Sequence, residues 1–101
     1  MGNWNFLSSH GLVLLAIAKN PEKTAREIGE EVGLTERTTH KMIVDLEQDG
    51  YITRKKVGRK NIYRIHKDEE IKDSGTEASI GELLTTLGWK AKGRRRVIRD
   101  V

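Results

Sequence analysis

Apolar residues in the first half of the chain recur with the 3.6-residue period of helices. Ser8 or Ser9 can cap a first helix that runs through Leu12, Leu14, Leu15, Ile17 and Ala18. It stops at Asn20-Pro21, because the residue before a proline is pushed out of the helical region. Trp4, Phe6 and Leu7 precede it and are expected to fold back onto apolar surface. Thr24-Ala25-Arg26-Glu27 has the form of a capping box, in which hydroxyl and carboxylate each satisfy a free backbone amide, so a second helix opens there. Its Ala25, Ile28 and Val32 share one face, and Gly33 ends it in a left-handed conformation. Thr35 caps a third helix, Glu36 to about Asp49, whose buried face holds Thr39, Met42, Ile43 and Leu46.

After Gly50 the period changes to two. Tyr51-Ile52-Thr53 leads into Lys55 to Val57, Gly58-Arg59-Lys60 turns, and Asn61 to Ile65 returns, which predicts a β-hairpin with Gly58 at its tip. A polar, acidic connection covers Lys67 to Thr76. Ser79-Ile80-Gly81-Glu82 is a second capping box and opens a short helix with an apolar stripe of Ile80, Leu83, Leu84 and Leu87. Gly88 ends it, and Trp89 to Val101 is basic without clear periodicity. No internal repeat is present.

A chain of 101 residues supports one modest core and not two independent ones. The longest apolar run, Leu12 to Ala18, is far short of the roughly 18 residues of a membrane span. The N-terminus has no basic region followed by an apolar stretch and cleavage site, so a cytoplasmic location without membrane association is expected. Without cysteine there is no disulfide, thiolate metal site or thiol redox switch, and three scattered histidines do not make a metal site. No cofactor is expected, and no nucleophile–base pair, carboxylate dyad or phosphate loop has workable spacing, so an enzyme is not expected.

The net charge of +4 is unevenly spread. Residues 1–50 carry five basic and eight acidic side chains, whereas residues 51–66 carry six basic (Arg54, Lys55, Lys56, Arg59, Lys60, Arg64) and no acidic one. Residues 67–88 are acidic again, with two basic and six acidic, and residues 89–101 carry six basic and one acidic. Two dense positive blocks on an otherwise acidic chain point to a localised polyanion site.

Residues 24–43 have the pattern of a helix-turn-helix: small Gly29 where two helices cross, Gly33 at the turn, inward Leu34, and apolar Ile28, Val32 and Met42. With the hairpin, residues 8–66 resemble the DNA-binding domain of MarR/ArsR-like winged-helix regulators. Two positions depart from that pattern, Gly29 where alanine is commoner and Thr39 where an aliphatic residue is usual. The resemblance implies an α+β, mostly α fold, a winged helix-turn-helix of three helices plus a β-hairpin wing, here with a short C-terminal helix. It also implies binding of operator DNA as a dimer, with the third helix in the major groove and the wing over the backbone. The expected organisation is a winged helix-turn-helix domain over residues 1–66, an acidic connection and dimerisation helix over 67–88, and a basic tail over 89–101.

The residues support the same chemistry. At about 100° per residue, the face of the third helix opposite its core stripe holds Arg37, Lys41, Val44 and Gln48, flanked by Thr38 and His40. Arg37 and Lys41 suit the O6 and N7 of guanine, Val44 a thymine methyl, and Thr38 phosphate or base. The helix N-terminus at Thr35 offers backbone amides to phosphate. On the wing, Lys55, Lys56, Arg59, Lys60 and Arg64 are set to neutralise phosphates, with strand alternation dividing them between two faces. His10 and His66 read as structural or surface residues. Lys90, Lys92, Arg94, Arg95, Arg96 and Arg99 form either a DNA-following arm or a solubilising tail. The stripe Ile80, Leu83, Leu84 and Leu87 packs either on the first helix of its own subunit or on a second subunit; a small core and the family's habit favour a homodimer interface. A small-molecule effector remains open as a further partner. The alternative function is a winged-helix protein–protein module without specific DNA binding, against which the acid-free wing argues.

Overall fold

Three helices, a hairpin and a fourth helix follow one another in the computed structural model, which describes residues 7–71 and 78–89. Trp4, Phe6 and the tail residues Lys90, Lys92, Arg94, Arg95, Arg96 and Arg99 lie outside the described residues, as does part of the acidic connection. Helix α1 (Ser9–Lys19) is capped by Ser8, whose hydroxyl accepts from the Gly11 amide at 3.2 Å. Leu7 folds back beside Gly11, as its apolar character suggests. Asn20, ahead of Pro21, is already extended (φ −151°), so the proline stops the helix where expected. Val13, Leu14, Ala16, Ile17 and Ala18 are all buried, so α1 supplies a large part of the core.

Helix α2 (Ala25–Val32) starts on a complete capping box: the Glu27 amide donates to Thr24 Oγ1, and the Thr24 amide donates to Glu27 Oε1. It ends at Gly33 with φ 83°, a conformation in which a Cβ would be strained. Helix α3 (Glu36–Gln48) is capped by Thr35 and buries Thr39, Ile43 and Leu46, with Met42 packed against the core. At Gly29, α2, the turn and α3 approach one another closely. A Cβ there would stand 2.6 Å from the Leu34 carbonyl oxygen, 2.8 Å from Thr39 Oγ1 and 3.3 Å from the Thr35 carbonyl oxygen. Thr39 is fully buried, and its hydroxyl donates to the Thr35 carbonyl at 2.8 Å, so burial leaves no unsatisfied polar group. The two departures from the family pattern meet at one place, since Thr39 Oγ1, with the Leu34 carbonyl oxygen, stands close to where an alanine methyl at position 29 would be.

Strands β1 (Ile52–Val57) and β2 (Lys60–Ile65) pair antiparallel from Ile52↔Ile65 to Val57↔Lys60, joined by Gly58 (φ 63°) and Arg59. Ile52 and Tyr63 carry the hairpin into the core. The Tyr63 amide donates to the Pro21 carbonyl at 3.0 Å, tying the wing base to the connection between α1 and α2.

Helix α4 (Ile80–Thr86) also has a complete capping box, between Ser79 and Glu82. Here one expectation is corrected. Of the two placements open to the stripe Ile80, Leu83, Leu84 and Leu87, the second subunit was favoured as its partner, but Ile80 (2% exposed) and Leu84 (1%) belong to the chain's own core. The reason lies in the backbone. The Gly81 amide donates to the Lys67 carbonyl and the Ile80 amide to the Glu69 carbonyl, both at 2.9 Å, while Ile71 bonds to Ala78. These bonds pin the start of α4 against the segment after the wing and turn positions 80 and 84 inward. A Cβ on Gly81 would stand 2.7 Å from the Lys67 carbonyl oxygen, so the close approach needs glycine. Leu83 is half-buried and Leu87 is 43% exposed.

Gly29→Ala should gain about 1 kcal/mol of helix propensity and lose more to the clash with the Leu34 carbonyl, as overpacking costs about 1–3 kcal/mol; urea unfolding should show a net loss, and a stabilised variant would refute the close approach. Leu84→Ala should cost about 2–5 kcal/mol in the same assay, and a loss under about 1 kcal/mol would mean that α4 is not part of the monomer's core.

Candidate nucleic-acid interface

The site is built on two elements, the outward face of α3 and the wing. With Thr39, Ile43 and Leu46 turned into the core, helical geometry sends Arg37, Lys41, Val44 and Gln48 to the opposite side. Arg37, His40, Lys41 and Gln48 are exposed and Val44 is half-exposed. Arg37 has no ion-pair partner among the described residues. Lys41, 72% exposed, lies 3.3 Å from Asp45 Oδ2 one turn further along. The α3 residues expected to act together are thus on one face.

At the helix start, the Thr38 amide donates to Thr35 Oγ1 at 3.1 Å, and Thr35 Oγ1 in turn donates to Thr38 Oγ1 at 3.0 Å. The cap satisfies the third amide of α3 internally, so an anion placed here meets the first two amides, those of Glu36 and Arg37. Glu36, acidic and exposed in this first turn, favours the helix dipole but not an approaching phosphate.

Two carboxylates border the cationic face, and partners from other elements hold both. Asp45 Oδ2 accepts from His10 Nε2 of α1 at 2.8 Å as well as from Lys41. The His10 hydrogen bond, with Lys41 beside it, holds the Asp45 carboxyl below the usual carboxylate range. Glu47 lies 3.0 Å from the Arg54 guanidinium of β1. Arg54 is thereby drawn off the basic wing block and serves to fasten β1 to α3. Tyr63, buried on the same face of the hairpin, has its phenol pushed up by burial.

The register divides the wing into two faces. Thr53, Lys55, Val57, Lys60, Ile62 and Arg64 share the outer one; Ile52, Arg54, Lys56, Asn61, Tyr63 and Ile65 share the one toward the core. Lys55, Lys60 and Arg64 are therefore together, Arg59 is at the turn, and Lys56 is exposed near the tip on the other face. Val57 is 50% exposed among these cations. At the wing base, Thr53 Oγ1 and His66 Nε2 are hydrogen-bonded.

Sequence reasoning did not find the His10–Asp45 and Arg54–Glu47 pairs. The i,i+4 spacing of Lys41 and Asp45 was a readable signal, but His10 is 35 residues away and only the packing of α1 on α3 brings it in. Among the described residues, no cluster of three or more His, Asp or Glu side chains could hold a metal, and no helix is long and apolar enough to cross a membrane.

A protein-family model, that of the MarR family, matches residues 5–60, more than half of the chain. The match takes in α1, α2, α3, β1 and the wing turn, and stops before most of β2 and before α4. No curated protein matches the chain.

Proposed function

Because the chain belongs to the MarR family, we propose that it is a transcription regulator that binds double-stranded DNA sequence-specifically, with α3 in the major groove and the wing on the backbone. The observation that carries this reading is the separation of charge. Arg37 and Lys41 stand on the exposed face of α3, both bordering carboxylates are engaged by His10 and Arg54, and the wing adds Lys55, Lys56, Arg59, Lys60 and Arg64 with no acid among them.

The roles divide by chemistry. Arg37, with a planar fork of donors, and Lys41 read guanine O6 and N7, while Val44 meets a thymine methyl. His40 and Thr38 flank the groove contacts, and the start of α3 at Thr35 meets phosphate. The wing cations neutralise phosphates on both sides of the groove and supply affinity without sequence information. A dimer reads a palindrome with two α3 helices about 34 Å apart. On this chain its interface draws on Leu83 and Leu87, since Ile80 and Leu84 are committed to the monomer.

Arg37→Ala and Lys41→Ala should each weaken binding to a duplex enriched from random sequence by about 1–3 kcal/mol, with a much smaller effect on scrambled duplex. Equal losses on both duplexes, measured by fluorescence anisotropy, would remove α3 from the groove. The double variant Arg59→Ala with Lys60→Ala should weaken both duplexes alike and lower the slope of log affinity against log salt by up to about 2. An unchanged slope would show that the wing tip does not touch phosphate.

A further inference from the structure

One oxygen of Asp45 serves two donors. Lys41 Nζ reaches it at 3.3 Å along α3, and His10 Nε2 reaches it at 2.8 Å from α1, a helix that carries none of the proposed groove contacts. A carboxylate beside the cationic face works against a polyanion twice, by repelling phosphate and by holding the Lys41 ammonium back. Glu47, on the other border, is answered by an arginine whose charge is permanent. Asp45 is answered by an imidazole, which is charged only when protonated. The cleft around His10 is lined by Asp45 of α3, Asp49 that caps its end, Tyr51 beyond it, and Ile80 and Leu83 of α4, so no other cation lines it among the described residues.

We propose that His10 is a positioning residue for Lys41, releasing the ammonium to DNA by taking the Asp45 oxygen that the two share. The proposal rests on α3 being the DNA-reading helix. With a neutral imidazole, the His10–Asp45 pair keeps a full negative charge and Lys41 stays tethered. With a protonated imidazole the pair is neutral, Lys41 gives up less on leaving, and the repulsion of phosphate by Asp45 is cancelled. Phosphates in turn favour the proton. Binding DNA therefore favours the protonated imidazole, and by linkage affinity rises as pH falls.

Two measurements test this, one with DNA and one without. Anisotropy at constant ionic strength, using the duplex enriched from random sequence, compares wild type with His10→Gln, whose amide can donate to Asp45 without acquiring charge. Between about pH 8 and pH 6 the wild type should gain about three- to tenfold more affinity than the variant, the other two histidines being common to both. Unchanged unfolding of His10→Gln separates this effect from a loss of structure. In the DNA-free protein, the 15N resonance of the Lys41 ammonium should move with the titration of the His10 ring in wild type and stay still in Asp45→Asn. Equal pH slopes for the two proteins, or a Lys41 signal indifferent to His10, overturns the proposal while leaving the DNA reading intact. Absence of DNA binding at every pH defeats the DNA reading, and this consequence with it, whatever the NMR coupling.

Discussion

The direction in which α3 presents its side chains depends on how closely α2 and the turn can approach it, and that distance is set at Gly29. The oxygens of Leu34, Thr35 and Thr39 all crowd the space a side chain would need there. The Gly29 carbonyl in turn accepts from the amides of Gly33 and Leu34, both at 2.8 Å, so the same residue closes α2 and starts the turn. Thr39 completes the contact from the α3 side, its hydroxyl satisfied by Thr35. With Thr39 fixed inward, Ile43 and Leu46 follow into the core at i+4 and i+7, and Arg37, Lys41 and Val44 have only the outer face left to them.

Charge is then arranged on that rigid frame. Helix α3 is not a basic helix: Glu36, Asp45 and Glu47 outnumber Arg37 and Lys41. The two acids that border its outer face are each held from another element, Asp45 by His10 of α1 and Glu47 by Arg54 of β1. The elements that hold α3 in place thus also adjust its field, and Arg54 fastens the wing while it does so. Exposed pairs of this kind add little to stability. Their weight falls on what α3 offers to a polyanion.

Much of this was legible in the sequence because it is local. Capping boxes at Thr24 and Ser79, glycines at 33, 58 and 88, and the change of period after Gly50 each depend on residues a few positions apart, and each element begins or ends within a residue or two of where they place it. The outward set on α3 follows from the same periodicity. What was not legible is what one element does to another. The stripe on α4 is correctly apolar, but its pattern carries no record of the backbone bonds from Lys67 and Glu69 that turn Ile80 and Leu84 into the monomer. Gly81 was the available signal, a glycine inside a helix with no local reason to be one. In the same way the sequence shows His10 only as a structural or surface residue and Arg54 only as one more wing cation, and it is the tertiary contacts that place them on Asp45 and Glu47.

The central claim is that α3 and the wing read a particular DNA sequence, and selection of duplexes from a random pool followed by comparison with scrambled duplex at one salt concentration tests it most directly. The account predicts enrichment of a defined motif that binds at least about a thousandfold more tightly than its scrambled counterpart. A pool that remains random after repeated rounds, or equal affinity for motif, scrambled duplex and any other polyanion, would contradict it.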